Sequence, residues 1–148
     1  MNHRPATDTD LQAIKGLLDI GKLPSDDCAE HLEDFILIEE KGKIIGMGGL
    51  EIYGAVGLVR SIVVDPAYRG GGIAKNIFRL IEVRAIGLGI DRLYLLTASA
   101  TGYFERLGFT IQKRSEVPAS VMETKQFKEL CPSSARVMFR EVSDVIRS

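Results

Sequence analysis

The hydrophobic and polar positions at the start of the chain follow a helical period. They come after Thr7–Asp10, which has the pattern of a capping box. In such a box the Thr7 side chain caps the first turn, and the Asp10 side chain, three residues later, bonds back to the Thr7 N–H. The pattern predicts a first helix that ends near Ile20 and buries Leu11, Ile14, Leu17 and Leu18. Pro24 and the polar residues after it predict a second short helix that ends at Leu32.

Three strands are predicted next. Phe35–Glu40 and Ile44–Leu50 are apolar runs on either side of the Gly-bearing turn Lys41–Lys43, a pattern typical of an antiparallel hairpin. Gly57 to Asp65 holds a further apolar run, and it ends where Pro66 lacks the N–H that a ladder needs. We expect this third strand to be central in its sheet.

An apolar stripe at spacings of three and four predicts a long helix after the glycines at 70–72. Lys75, Arg79 and Glu82 lie on another face of this helix, and Gly87 and Gly89 end it. The residues of the stripe are Ala74, Phe78, Ile81, Ala85 and Leu88.

The last third of the chain alternates short elements. The pattern predicts a strand at Leu93–Thr97, a short helix at Gly102–Leu107, a strand at Phe109–Gln112, helical turns around Pro118 and a last strand at Ala135–Arg140. Helices, then a strand meander, then alternating strands and helices are typical of the α/β or α+β class. We therefore expect one domain, residues 1–148, with a mixed, mostly antiparallel sheet and helices on both faces.

The composition narrows the function classes. The chain has 148 residues, of which 45% are hydrophobic and 26% charged, and its formal net charge is −1. These values predict a folded domain and argue against a basic nucleic-acid-binding arm. No apolar run has the length of a membrane helix and no secretory signal opens the chain, so a cytoplasmic protein without a membrane partner is expected. Cys28 and Cys131 have no ligand spacing, so no metal site is expected.

The segment Val64–Lys75 runs from a strand end through three glycines into a helix start. The first N–H groups of a helix have no intrahelical acceptor, and the helix dipole adds positive charge there, so an anion such as pyrophosphate is favoured. Glycines without Cβ let those N–H groups approach phosphate oxygens closely. The charges agree, because residues 60–92 include six basic and three acidic side chains.

Two familiar nucleotide loops do not fit this spacing. A Walker loop needs Lys followed by Ser or Thr, whereas Lys75 is followed by Asn76. The dinucleotide fingerprint needs Gly or Ala three residues after Gly72, where the chain has Lys75. The loop therefore belongs to another class of phosphate site.

The hexapeptide Arg69–Ala74 resembles the Gln/Arg-x-x-Gly-x-Gly/Ala loop of the GNAT superfamily of acyl-CoA-dependent N-acetyltransferases. Further matches follow the order of that superfamily: Arg4–Asp10, Val64–Arg69 and Phe104–Phe109. Within it, the chain resembles arsenic-resistance-associated N-acetyltransferases and, more distantly, the acetyltransferase domain of N-acetylglutamate synthase. This narrower resemblance rests on Leu58–Ser61, Leu95–Thr97, Ser115–Ser120 and Leu130–Ala135.

The resemblance implies a GNAT fold, acetyl-CoA as cofactor and direct acetyl transfer to the primary amine of a small, amino-acid-like molecule. It also implies a homodimer formed through edge strands. The residues that it assigns to the cofactor are Ile62, Val63, Val64, Arg69, Gly70, Gly71, Gly72, Ile73, Ala74, Lys75 and Phe104.

Two side chains are candidates for proton transfer. Glu51 ends an apolar strand and is either a general base or a solvated carboxylate. Many GNAT members have a tyrosine that acts as the general acid four residues before the Gly of Gly-Phe. That residue here is Phe104, and the tyrosine is one residue earlier, at Tyr103. A shift of one residue turns a helical side chain by about 100°, so Tyr103 is either the acid or a packing residue.

Arg60 and Ser61 lie in the middle of an apolar strand, where a charge needs a partner. Arg60 either binds a substrate carboxylate with both ends of its guanidinium or forms an ion pair with Glu51. The alternative to an enzyme is a CoA-binding sensor or partner-binding module with weak catalysis, which the absence of tyrosine at position 104 favours.

Overall fold

The computed structural model describes residues 2–20, 32, 35–97, 100–124 and 135–142. It divides into two compact units, of which unit 1 comprises Met1–Glu51 and Val59–Val83 and unit 2 comprises Ile52–Leu58 and Arg84–Ser148. The described strands are β1 (Asn2–Pro5), β2 (Phe35–Glu40), β3 (Lys43–Tyr53), β4 (Val56–Val64), β5 (Arg92–Thr97), β6 (Thr110–Gln112) and β7 (Arg136–Glu141). The described α-helices are α1 (Leu11–Ile20), α2 (Ile73–Gly87), α3 (Thr101–Arg106) and α4 (Ala119–Met122).

These bounds confirm most of the predicted elements. The first helix begins with a 3₁₀ turn at Asp8–Asp10, where the Asp10 carboxylate accepts the Thr7 N–H at 2.8 Å, as a capping box requires. Strand β3 extends to Tyr53, three residues beyond the predicted end. The predicted helix from Pro24 to Leu32 lies outside the described residues apart from Leu32 itself.

Unit 1 has helices on both faces of its strands. Strands β1, β2 and β3 are successive neighbours, and β4 follows β3 after a tight turn. Helix α1 covers one face, where its residues Ile14, Leu17 and Leu18 share a buried cluster with Phe35, Leu37, Met47 and Val63. Helix α2 covers the other face and lies close to β3, because a Cβ at Gly48 would stand 2.5 Å from Ile77 Cγ2.

Unit 2 contains the mixed part of the sheet. Strand β4 pairs with β5 in parallel over Val56–Leu58, β5 pairs with β7 antiparallel, and β7 pairs with β6 antiparallel. Strand β4 therefore has a neighbour on each side, because it lies between β3 and β5 in the sheet order. The strand predicted at Gly57 to Asp65 is β4, so the prediction that it is central is confirmed. Its core is formed by Leu58, Tyr94, Val117, Val121 and Val137.

The predicted stripe of the long helix needs two corrections. Glu82, predicted on the polar face, is 5% exposed, because it follows Phe78 by one helical turn and so lies on the same side. Leu88, predicted in the stripe, is 49% exposed, because α2 ends at Gly87 before it. Ile77 is fully buried in the stripe instead. Among the described residues, no helix is both long and apolar enough to cross a bilayer.

Candidate functional site

The glycine loop of unit 1 begins with a small capped turn. The Asp65 carboxylate accepts the Ala67 N–H at 2.9 Å and starts the 3₁₀ turn Pro66–Tyr68. The Asp65 N–H donates to the Ile45 carbonyl at 2.8 Å, which ties the end of β4 to β3. The Ala67 N–H, and after it Lys43 at 3.5 Å, lower the pKa of Asp65, so this carboxylate stays charged well into the acidic range.

Two glycines of the loop have left-handed backbone conformations. The φ angles are +87° at Gly70 and +79° at Gly72, a region that residues with a Cβ rarely adopt. The loop enters α2 directly, and the first intrahelical bond joins the Asn76 N–H to the Gly72 carbonyl at 3.0 Å. The N–H groups of residues 73–75 precede that bond and have no acceptor within the helix.

The space around these N–H groups suits an anion. A Cβ built at Gly70 or Gly72 would meet no atom within 4 Å, so the space beside these two residues is open. The helix dipole favours negative charge at this end. Arg69 and Lys75 flank the loop with exposed side chains, and the Arg69 Nε donates to the Val64 carbonyl at 3.1 Å. The residues present therefore fit the pyrophosphate of a CoA molecule.

Strand β4 contains an irregularity just before the loop. Consecutive glycines of β3 face β4 residues that are two apart: a Cβ at Gly49 would stand 3.2 Å from Arg60 Cγ, and a Cβ at Gly48 would stand 3.5 Å from Ile62 Cγ1. Ser61 lies between them with a φ of +59°. One step on β3 thus matches two steps on β4, which defines a β-bulge with Ser61 as the extra residue.

A buried ion pair lies beside this bulge. The Arg60 Nη1 and Glu51 Oε2 atoms are 2.9 Å apart, and the two side chains are 2% and 3% exposed. The Arg60 Nε also donates to the Ser61 Oγ at 3.1 Å, and the guanidinium lies 5.5 Å from the centre of the Phe35 ring. The structure therefore contains the ion pair, one of the two arrangements expected for Arg60, and the solvated arrangement expected for Glu51 is wrong.

The other candidate residues lie on α3 in unit 2. Tyr103 and Phe104 are half-buried and contact each other edge to face, with ring centres 5.3 Å apart. Phe104 makes a second edge-to-face contact with Phe109 at 6.0 Å. Burial raises the pKa of the Tyr103 phenol above its ordinary value of about 10, against a smaller opposite effect of Arg106.

The structure gathers the predicted site residues into three groups. Residues 69–75 and 62–64 adjoin one another along unit 1, Glu51, Arg60 and Ser61 form one hydrogen-bonded cluster, and Tyr103 and Phe104 form an aromatic pair in unit 2. The bulge at Ser61 was not predicted. A serine followed by apolar residues does not indicate a positive φ. The one feature of the sequence that marks this position as unusual is the charged Arg60 inside an apolar strand.

Comparison with known proteins gives a consistent result. A model of the acetyltransferase (GNAT) family matches residues 9–109. An amino-acid acetyltransferase from Mycobacterium tuberculosis is 33% identical over 141 residues, which are 88% of this chain and 77% of that protein.

Solved structures agree with the sequence matches. A Mycobacterium tuberculosis protein in complex with CoA and a second ligand has a TM-score of 0.79 at 27% identity, covering 95% of this chain and 99% of that one. The N-acetylglutamate synthase of Neisseria gonorrhoeae, in complex with coenzyme A and N-acetyl-glutamate, has a TM-score of 0.83 at 21% identity. That match covers 95% of this chain, which spans 35% of the longer synthase.

Proposed function

The chain belongs to the acetyltransferase (GNAT) family, whose members use acetyl-CoA, and we propose that it acetylates the primary amine of a small, amino-acid-like molecule. The observation that carries this proposal is the loop at 69–75. Its two left-handed glycines and the N–H groups of the first turn of α2, which have no acceptor within the helix, have the character of an anion site. The fold is that of the family, a mixed seven-stranded sheet with helices.

In this proposal the main chain does most of the binding. The N–H groups of residues 73–75 hold the pyrophosphate, Arg69 and Lys75 add positive charge, and the backbone of Ile62–Val64 binds the pantetheine arm. When bound, acetyl-CoA supplies an acetyl thioester with a thiolate leaving group whose conjugate acid has a pKa near 8.5. Because that leaving group is good, the chain needs only modest help from a proton donor.

Tyr103 is the proposed donor of that proton. Its phenol has an ordinary pKa of about 10 and is therefore protonated at neutral pH, and burial raises that pKa further. Replacing Tyr103 with Phe keeps the ring and its contact with Phe104. We expect kcat to fall about tenfold with little change in the KM for acetyl-CoA, which is less than the roughly 10²- to 10⁴-fold that a general acid usually contributes, because the thiolate is already a good leaving group. An unchanged kcat would assign Tyr103 to packing.

The acceptor is proposed from the relatives. The matched proteins are named amino-acid acetyltransferases, and one solved relative holds N-acetyl-glutamate, which has a carboxylate beside its acylated nitrogen. An α-amino group has a pKa near 8, so a useful fraction is neutral and nucleophilic at pH 7 without a strong base. The motifs shared with arsenic-resistance-associated members make arsenic-containing amino acids the first analogues to test.

The test measures thiol release from acetyl-CoA with a panel of amino acids, arsenic-containing amino acids and polyamines, and identifies the product by mass spectrometry. We expect a product acetylated on the amine of an amino-acid-like substrate. The control is Gly72→Glu, which places a carboxylate and a Cβ at the anion site and should abolish acetyl-CoA binding.

Tight binding of acetyl-CoA without any product across the panel would instead support the sensor or partner-binding module. Phe104 at the usual tyrosine position is the feature that favours that outcome. We also propose that residues 1–148 form a single domain of the family. A homodimer and a cytoplasmic location stay predictions.

A further inference from the structure

We propose that Glu51 and Arg60 are positioning residues, which act through Ser61 to hold the bulge of β4 and thereby the backbone of Ile62–Val64. This inference rests on the proposed function for its link to catalysis, because those three residues are the ones assigned to the pantetheine arm. The bulge and its supports all lie in unit 1.

The bulge decides which way the following side chains face. Arg60 contacts the Phe35 ring, and Val63 shares the buried cluster of Phe35, so both side chains lie on the face that α1 covers. Residues three apart in a regular strand face opposite sides of a sheet. The extra residue at Ser61 is what places Arg60 and Val63 on the same face, and without it Ile62 and Val63 would exchange faces.

A serine does not hold this conformation by itself. A φ of +59° brings the Cβ close to the following carbonyl, so residues other than glycine need support there. The Arg60 Nε provides it by donating to the Ser61 Oγ at 3.1 Å. Arg60 is adjacent in sequence, so its guanidinium must itself be fixed for this bond to select one backbone conformation.

Glu51 and the neighbouring residues fix that guanidinium. Glu51 Oε2 accepts from Arg60 Nη1 at 2.9 Å, and burial of both side chains excludes competing water. Gly49 leaves room for the Arg60 stem, since a Cβ there would stand 3.2 Å from Arg60 Cγ and 2.5 Å from the Phe35 ring. The cluster is thus built around one position of the guanidinium.

The bulge also frees backbone groups at the point where they would meet the acyl thioester. The extra residue of a bulge is left unpaired by the ladder, so in this proposal the peptide groups beside Ser61 can bind a ligand. The Asp65 N–H resumes the pairing with Ile45 at 2.8 Å, immediately before the glycine loop. The pair therefore aligns the thioester end of the cofactor, whereas the loop holds its pyrophosphate end.

The main test replaces the pair without leaving a lone buried charge. The double variant Glu51→Leu with Arg60→Met substitutes apolar side chains of similar size, an exchange that buried ion pairs generally tolerate. Two readouts are taken: the backbone ¹³C chemical shifts of Ser61, which report its left-handed conformation without any ligand, and the steady-state kinetics. The thermal midpoint and the Kd of CoA serve as controls for folding and for the glycine loop.

We expect the Ser61 shifts to lose their left-handed signature and kcat to fall about 10- to 100-fold, because a misplacement of about 1 Å at a reacting centre can cost about 100-fold. The Kd of CoA should change less than about threefold, since the loop amides are untouched. Adding Ser61→Gly to the double variant should raise kcat again by about tenfold, because glycine adopts a positive φ without support.

Three results would overturn the proposal. They are left-handed Ser61 shifts in the folded double variant, an unchanged kcat, and no gain from Ser61→Gly. If the double variant does not fold, the single variants Ser61→Val and Ser61→Gly of the otherwise unchanged protein test the proposal instead. Valine resists a positive φ and glycine favours it, so their kcat values should differ. Equal kcat values overturn the proposal. If the unsubstituted protein shows no turnover, only the proposed function is refuted. The chemical shifts of Ser61 still test whether Glu51 and Arg60 hold the bulge.

Discussion

Two groups of glycines in unit 1 serve opposite purposes. On β3, a Cβ at Gly48 or Gly49 would stand 2.5 Å from Ile77 or Phe35, so these positions are crowded and the residue is needed for its small size. In the loop, Gly70 and Gly72 have open space around them but positive φ angles, so the residue is needed for its backbone freedom. One residue type is thus required by packing in one region and by conformation in the other.

The difference predicts which property each substitution changes. Crowding at β3 acts on the close contact between the sheet and α2 or Phe35, and therefore on the free energy of unfolding. Conformation in the loop acts on the direction of the N–H groups, and therefore, under the proposed function, on the affinity for acetyl-CoA. The three predictions below separate these two properties, from the largest expected effect to the smallest.

Gly48→Ala has the largest expected effect. The new methyl group would overlap Ile77 Cγ2, so we expect the free energy of unfolding to fall by about 2 kcal/mol, within the usual range for overpacked cores. Ile77→Ala removes the overlapping atom, and a double-mutant cycle should show that the two changes together cost less than their sum. Urea titration measures this cycle, and strict additivity would contradict the contact.

Gly72→Ala should leave stability nearly unchanged and weaken acetyl-CoA binding by about 10-fold, because a φ of +79° costs alanine about 1–2 kcal/mol and the loop relieves that strain by turning its N–H groups. Titration calorimetry measures the Kd. Gly16→Ala in α1 is the control: it has an open Cβ site and should raise stability by about 1 kcal/mol without affecting the Kd.

Gly71→Ala distinguishes conformation from space within the same loop. Gly71 has no positive φ, and its Cβ would meet only the Tyr68 carbonyl, at 3.8 Å. A loss of affinity equal to that of Gly72→Ala would show that the loop needs room for the ligand rather than left-handed backbone.

Asp10→Asn tests the junction between β1 and the 3₁₀ turn that begins the first helix. Charged side chains hold this junction, and neither kind of glycine takes part in it. Arg4 donates to both carboxylate oxygens of Asp10, at 2.7 and 2.8 Å, and with the Thr7 N–H it holds the pKa of Asp10 well below its usual range. Because Arg4 is partly exposed, we expect a loss of about 1 kcal/mol at pH 7 and no change in the Kd of acetyl-CoA.

This loss should depend on pH. A carboxylate with a lowered folded-state pKa stabilises the fold above its unfolded pKa of about 3.9, and the contribution disappears as the pH falls through the folded value. The stability difference between the variant and the parent should therefore shrink below about pH 4. A difference that stays constant down to pH 2 would contradict the ion pair as its source.

The sequence predicted those elements whose pattern is local. The hairpin at Phe35–Leu50, the glycine loop and the helix after it depend on turn residues and on periodicity, which neighbouring residues decide. The loop is also the part of the candidate site that short-range sequence defines, because its glycines, charges and helix start are contiguous.

The features that were missed depend on contacts between distant residues. Glu82 is buried because α2 buries a wider stripe than its spacing indicated, and the length of β3 depends on its partners. The choice between an ion pair and a substrate clamp for Arg60 required the position of Glu51, nine residues away. The positive φ of Ser61 follows from that arrangement, so no local pattern announces it.

The loop at 69–75 has a consequence for how such a protein can evolve. Its proposed binding groups are main-chain N–H groups, which every residue other than proline carries, so selection acts there through backbone geometry rather than through side-chain identity. Positions such as Lys75 can drift with modest effect, whereas Gly72 cannot. New acceptor specificities can then arise elsewhere in the chain by ordinary side-chain replacement, without a compensating change in the loop.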